Sequence, residues 1–273
     1  MLFRSNIRRS ALFSFKNYLA VTSLEEAYNE LLKNKKNIIL GGTSYLRIGN
    51  VAYNTAIDLS NLSLNYIREE GEYVHIGAIT SFRDLETNKI TQNIFDGILD
   101  KCVRGIIGVQ FRTNVTVGAT VFSKYGFSDL IPTLLAMGAI VVLYNGGEIS
   151  LEDYLKEEGL RRDILVEVKV KKSGRGAFQS IRKSKTDYAI TNTCVTKTEA
   201  GIRVAIGVRP GKAVLSYKAM EILNNNEITD EIIDKACEAM SEEVTFGSNM
   251  RGTGEYRRAV SKNLLKRAIK EVL

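Results

Sequence analysis

Two short stretches carry the residues best suited to gripping a ligand. The first runs from Asn37 to Gly49 and places the bare pair Gly41-Gly42 directly after the apolar run Ile38-Ile39-Leu40. Three apolar residues bounded by glycine read as a buried strand. The glycines permit positive φ and close approach of another backbone or a ligand. Thr43 and Ser44 follow at once and add hydroxyl donors beside the main-chain N–H groups, a composition that can cradle phosphate. Taken alone, the pair reads more readily as a plain turn, the usual meaning of glycines after a strand. The second stretch is Thr116-Val117-Gly118-Ala119-Thr120, with Ser123 and then Asp129 beyond it. Two small-residue loops, and a carboxylate able to hold a ribose hydroxyl, suit a dinucleotide with two phosphates and two sugars.

The elements that must position these stretches are readable from periodicity. Ser23-Leu24-Glu25-Glu26 fits a capping box, and Leu24, Ala27, Tyr28, Leu31 and Leu32 recur at helical spacing, so a helix over 23–33 delivers the chain into the glycine turn. Ala56 to Leu59 reads as a strand, and 65–68 with 73–76 as a hairpin turned at Glu70-Gly71. A short helix starts at Ser81, and another runs through Ile94, Ile98, Leu99 and Cys102. From Gly105 to Asp129 the pattern predicts a long irregular stretch, and loops of more than about fifteen residues in a compact domain tend to carry function. Asp129 then opens a helix that Gly138 closes; a strand over 139–144, a turn at Asn145-Gly146-Gly147, a capped helix from Ser150 and a strand over 164–170 follow. Residues 171–176 are the most linker-like in the chain. Beyond them, 177–181, 188–196 and 202–208 read as an antiparallel three-stranded meander. Helices over 217–223, 230–240 and 254–273 end the chain, the last with Tyr256, Val260, Leu264, Ala268 and Val272 on one face. Strands followed by helices indicate an α+β fold.

Composition narrows the chemistry. The 273 residues are 44% hydrophobic, enough for two modest cores. No apolar run approaches the roughly 18 residues that span a bilayer, so membrane insertion is not expected. Cys102, Cys194 and Cys237 are scattered and odd in number, which argues against a disulfide framework, a zinc site or an iron-sulfur cluster held by this chain. The single histidine, His75, leaves little for a Ser-His-Asp or histidine-based metal site and reads as structural. No Gly-x-Gly-x-x-Gly occurs, and 207–213 is one residue short of a phosphate loop and lacks its terminal hydroxyl, so it reads as a strand-to-turn exit. The net charge of +7, from 38 basic and 31 acidic residues, concentrates over 161–185. That run is a solvated surface or a positive field for an anionic cofactor or acidic partner; without a nucleic-acid-binding motif beside it, nucleic acid is not the expected ligand. The first twelve residues are basic and free of acids, a composition faintly like a transit segment, though a short extension is the simpler reading. A chain without an evident acid, base or metal set can still do redox chemistry when a cofactor carries the reaction.

The pair Leu-Gly-Gly-Thr and Thr-Val-Gly-Ala-Thr, followed by Ser-Asp-Leu-Ile-Pro-Thr-Leu-Leu-Ala, resembles the FAD-binding medium subunit of the molybdenum hydroxylases, the xanthine and carbon monoxide dehydrogenase group. The likeness extends through 57–60 and 75–80 to Arg251-Gly252-Thr253-Gly254-Glu255-Tyr256-Arg257-Arg258 near the end. It implies a two-lobed FAD-binding domain over 14–170 and a smaller C-terminal domain over 177–273 with a three-stranded antiparallel sheet and a helical bundle. It implies that Ile38, Ile39, Leu40, Gly41, Gly42, Thr43, Ser44 and Tyr45 wrap the FAD pyrophosphate. Thr116, Gly118, Ala119 and Thr120 then match the second flavin loop, Asp129 the ribose-binding carboxylate, Ile106, Ile164 and Leu165 apolar flavin contacts, and Arg182 a basic residue near the cofactor. Ala119 and Thr120 stand where the family has Gly and Asn; alanine still tolerates close approach and threonine still offers a donor. The resemblance also implies partners: a molybdenum-cofactor large subunit, a small subunit with two [2Fe-2S] clusters, and NAD or another acceptor, in a cytoplasmic complex. Two other readings stay open, a non-catalytic interaction module that keeps the fold and a stand-alone flavin oxidoreductase.

Overall fold

The computed structural model describes residues 13–273; the basic first twelve, read above as a short extension, lie outside the described residues. The first lobe is β1 (Ser14–Ala20), α1 (Leu24–Lys33), β2 (Ile38–Leu40) and β3 (Ala52–Asp58). Its three strands are parallel in the order β1-β3-β2. Ser23 caps the helix, its Oγ accepting from the Glu26 N–H at 3.0 Å, but the reciprocal bond of a capping box goes one residue further back: Glu26 Oε2 accepts from the Thr22 N–H at 2.8 Å, not from that of Ser23. Ala27 and Leu31 of α1 pack on Ile57 and Leu59, and the cluster reaches across to Leu64 and Ile164 of the next lobe. The sequence pattern does not mark β1. This edge strand leaves all but one of its seven residues exposed, so no alternation was available to reveal it.

The second lobe is an antiparallel sheet of β4 (Ile67–Glu70), β5 (Tyr73–Gly77), β6 (Ile140–Leu143), β7 (Gly147–Ser150) and β8 (Leu165–Lys171), in the order β4-β5-β8-β6-β7. Helices α2 (Phe82–Thr87), α3 (Lys89–Asn93), α4 (Ile98–Val103), α5 (Val109–Arg112), α6 (Val117–Phe122) and α7 (Leu130–Ala136) lie between β5 and β6, and α8 (Leu151–Lys156) between β7 and β8. The stretch expected to be irregular from Gly105 to Asp129 therefore contains two helices. With four and six residues, they are too short to show a helical period. His75 sits on β5 with Nδ1 2.8 Å from Glu167 Oε1, and the Tyr66 hydroxyl donates to the other oxygen of Glu167 at 2.6 Å.

The third part holds β9 (Arg175–Arg182), β10 (Ala189–Thr198), β11 (Gly201–Gly207) and β12 (Val214–Leu215), then α9 (Tyr217–Asn225), α10 (Asp230–Glu243) and α11 (Gly254–Val272). The three expected strands are present, and two-residue β12 extends the antiparallel sheet to four in the order β12-β11-β10-β9. One face carries α9, α10 and α11; residues of the other, Cys194, Ala205 and Leu215, join the core of the second lobe. The expected face of α11 buries Leu264, Ala268 and Val272, but at its start Tyr256 is 44% exposed while Arg257 is fully buried. The linker-like segment 171–176 is tightly packed, since a Cβ on Gly174 would stand 2.4 Å from the Phe95 ring. All three cysteines are buried and free. Among the described residues no helix is long and apolar enough to cross a membrane.

Candidate functional site

A cavity of about 480 Å³ separates the parallel sheet of the first lobe from α6 and the start of β8. Both small-residue stretches line it. From the first come Ile38, Ile39, Leu40, Gly41, Thr43, Ser44 and Tyr45; from the second, Thr116, Gly118, Ala119 and Thr120; Ile164 and Leu165 close the floor. The stretches also touch each other: a Cβ on Gly41 would stand 2.9 Å from Ala119 Cβ, and one on Gly42 would stand 3.4 Å from Thr116 Cγ2 and 1.5 Å from the carbonyl oxygen of Asn114, two residues before it. Gly42 thus packs behind the cavity wall, at φ +64°. Thr43 holds φ +59° as well, an uncommon setting for a β-branched residue and the kind of backbone strain that gathers at ligand sites.

The two stretches offer different chemistry. Among the described residues, the N–H groups of Gly41, Gly42, Thr43 and Ser44 donate to no protein acceptor. Ser44 Oγ is buried without a partner. Buried polar groups are otherwise almost always paired, so this cluster of unspent donors on a glycine turn matches an anionic ligand group. In the second stretch the donors are spent: Val117 N–H bonds Thr80 O at 2.9 Å, Gly118 N–H bonds Ala78 O at 2.8 Å, and Ala119 N–H bonds Thr116 Oγ1 at 3.3 Å. The Thr120 hydroxyl donates to Thr116 O at 2.9 Å. The donor expected from Thr120 is therefore already used within α6. The second stretch supplies shape: Gly118 lets α6 press on Ala78, where a Cβ would come within 2.6 Å of the Ala78 Cβ.

Three expected contacts lie away from the cavity. Ile106 and Asp129 border a separate hollow of about 10 Å³. Arg182 donates to Asp129 Oδ2 at 2.8 Å and to Asp187 O at 2.6 Å. Asn192 donates to Asp129 Oδ1 at 2.6 Å. Burial raises the Asp129 carboxyl above its ordinary value, against the pull of Arg182 and Asn192. Between cavity and hollow stands an aromatic cluster. The Tyr45 ring lies 5.0 Å from Tyr125 and 5.1 Å from Phe127, and its hydroxyl meets that of Tyr188. Burial pushes the Tyr45 phenol up to about 12 and raises that of Tyr188 too, so both stay protonated at neutral pH.

The opposite end of the cavity is lined by Leu31, Lys35, Asn37, Leu160, Arg161 and Arg162. Sequence reasoning did not single out Arg162. Its guanidinium donates to the carbonyls of Leu31, Asn34 at 2.9 Å and Asn37 at 3.1 Å, and so caps α1 and fixes the entry to β2. The only available signal was its membership of the basic run over 161–185. Most of that run is paired within the chain, as in Arg161 with Glu157, Lys169 with Glu148, Lys172 with Glu69 and Arg175 with Asp96.

Residues 13–170 match the family described as the FAD binding domain in molybdopterin dehydrogenase. The chain belongs to that family. Residues 176–272 match the CO dehydrogenase flavoprotein C-terminal domain. Full-length relatives include the glyceraldehyde dehydrogenase medium chain of Sulfolobus acidocaldarius, 25% identical over 94% of this chain and 98% of its own. The carbon monoxide dehydrogenase medium chain of Hydrogenophaga pseudoflava is 25% identical over 92% and 95%. The fold matches carbon monoxide dehydrogenase from H. pseudoflava at TM-score 0.86 and 22% identity, over 94% of this chain and 96% of that one. It also matches quinoline 2-oxidoreductase from Pseudomonas putida at TM-score 0.84 and 20% identity, over 96% and 97%. This chain is thus an FAD-binding medium subunit of molybdenum-hydroxylase type, an oxidoreductase component whose cofactor is FAD.

Proposed function

We propose that the chain passes electrons from the [2Fe-2S] clusters of a small subunit, themselves reduced by a molybdenum-cofactor large subunit, through FAD to NAD or another external acceptor in a cytoplasmic complex. The observation that carries the placement of the cofactor is the free donor set of the glycine turn, of which Gly41, Thr43 and Ser44 line the same cavity as the wall formed by Thr116, Gly118, Ala119 and Thr120. Bound FAD supplies reversible two-electron chemistry that can also proceed one electron at a time, as iron-sulfur donors require.

The chain's own residues bind and orient. The N–H groups of Gly41 to Ser44 and the Ser44 hydroxyl hold the pyrophosphate, with Gly42 and Thr43 setting the turn. Ile38, Ile39, Leu40, Ile164 and Leu165 give the cavity its apolar walls. Asp129, held by Arg182 beside Ile106 in the separate hollow, reaches a ligand hydroxyl only from the far side of the Tyr45 wall, which favours the ribityl chain over the adenosine ribose. In this reading residues 14–170 form the flavin domain and 177–273 the domain that closes on it. The internal pairing of the basic run weighs against an interaction module built on its charge.

The test is visible flavin absorption of the chain with FAD, alone and with its partner subunits, followed by addition of reduced small subunit. The reading expects a yellow complex that bleaches on that addition and regains colour with the acceptor. A chain that stays colourless in every mixture would overturn it; one that turns over a donor without partners would establish the stand-alone oxidoreductase instead.

A further inference from the structure

The cavity and the hollow share Tyr45, Tyr125, Val115 and Thr120 as a common wall, of which the two tyrosines are the aromatic part. On one side lie about 480 Å³ and the free donors of the glycine turn; on the other, about 10 Å³ beside Asp129. A volume of about 10 Å³ holds one water at most. The wall is a packed unit: Tyr125 and Phe127 stack with centroids 4.9 Å apart, and Phe127 meets the Tyr188 ring edge-on at 5.4 Å. It joins two parts of the chain, since Tyr45 follows β2 while Tyr188 precedes β10. Arg251 fixes the Tyr188 side by donating to Tyr188 O at 2.9 Å and pairing with Asp187 at 2.6 Å.

A dinucleotide whose pyrophosphate sits on Gly41 to Ser44 extends in two directions. One half runs toward Leu31, Lys35 and Leu160, where the cavity is open to it. The other runs into Tyr45. We infer that Tyr45 is a specificity-determining residue: with its hydroxyl paired to Tyr188 it limits the cavity to the adenosine diphosphate half of the ligand, and the flavin ring enters only when that pair breaks and the Tyr45 ring moves. Adenosine diphosphate is accordingly a ligand of the chain in its own right, and the ring half gains contacts only after displacing an aromatic packing of comparable kind. This rests on the FAD reading above.

The experiment measures dissociation constants for ADP and for FAD by calorimetry on the full chain, on Tyr45→Ala and on Tyr188→Phe, with a thermal melt of each protein. The wild-type chain is expected to bind ADP with an affinity within about tenfold of that for FAD. Tyr45→Ala should shift the ratio toward FAD by about tenfold or more, equivalent to about 1.4 kcal/mol. Tyr188→Phe, which removes one hydroxyl and keeps the ring, should shift it the same way by less, and carries the test if the alanine variant melts early. A wild-type chain that prefers FAD by far more than tenfold, with a ratio that neither variant moves, would overturn the inference and leave the cofactor reading standing. Failure of ADP and FAD alike to bind any of the three proteins would overturn both.

Discussion

Gly42 packs the glycine turn against the backbone just before the second stretch, and replacing it with alanine adds a steric cost to that of a left-handed φ. Gly42 has φ +64°, as does Gly147 in the turn before β7, but a Cβ on Gly147 meets nothing within 4 Å. A non-glycine residue in this left-handed region costs roughly 1–2 kcal/mol, and the stiffer unfolded chain returns about 0.4–1 kcal/mol. Gly147→Ala should therefore destabilise by about 1.6 kcal/mol or less. At Gly42 the same methyl would stand 1.5 Å from the Asn114 carbonyl oxygen and 2.7 Å from its carbon. Neither is a side-chain tip that can rotate away, so backbone must shift, at an additional ~1–3 kcal/mol. Gly42→Ala should thus melt lower than Gly147→Ala by about 2–4 °C for each additional kcal/mol. Urea titrations of both variants without ligand, followed by flavin stoichiometry after reconstitution, measure the two effects. Gly42→Val should retain no FAD. Equal stability of the two alanine variants, or stoichiometric flavin in Gly42→Val, would refute the packing argument.

Ser44→Ala removes a buried hydroxyl that has no protein partner; it should stabilise the ligand-free chain by up to about 1 kcal/mol and weaken FAD binding. Thr120→Val loses a hydroxyl already bonded to Thr116 O, so it should cost about 1 kcal/mol of stability with a smaller effect on FAD than Ser44→Ala; paired titrations show which loss is larger, and the reverse order would count against the assigned roles. Burial raises the Asp129 carboxyl above 3.8, so the native chain keeps a proton there that the unfolded chain has released. That contribution is fully present below the unfolded value and lost as pH rises through the folded one. The stability of wild type relative to Asp129→Asn should fall as pH rises from about 3 to 7, and a flat difference across that range would contradict the assignment. Arg257→Met should destabilise by about 3 kcal/mol or more, because the carbonyls of Ile190 and Val208 and the Asn249 amide oxygen lose their shared donor. A loss below about 1 kcal/mol in urea titration would show that water replaces the guanidinium.

Much of this architecture is written locally. The Ser23 helix cap, the glycine turn after Ile38-Ile39-Leu40 and the three long strands of the last sheet each announce themselves through spacing. What escaped detection depends on contacts distant in sequence. Nothing in the pattern of β1 shows that it pairs with β3, because its side chains face solvent. Gly174 and Gly176 resemble a flexible linker until Phe95 is seen against them. Arg257 has the charge of a surface residue, and only the carbonyls converging on it from β10 and the end of β11 explain its burial. At the site, sequence marks both ligand-facing stretches but does not show that one has its N–H groups free while the other has spent them. That difference arises from Ala78 and Thr80, which lie in the same lobe as α6 but far earlier in the sequence.

Hydrogen exchange of the two stretches, with and without FAD, tests most directly that the glycine turn grips the cofactor. The amides of Gly41, Gly42, Thr43 and Ser44, which donate to no protein acceptor among the described residues, should slow markedly when FAD is added. Those of Val117 and Gly118, already bonded to Thr80 and Ala78, should change little. Protection at Val117 and Gly118 with none over 41–44, in protein shown to hold FAD, would contradict the account.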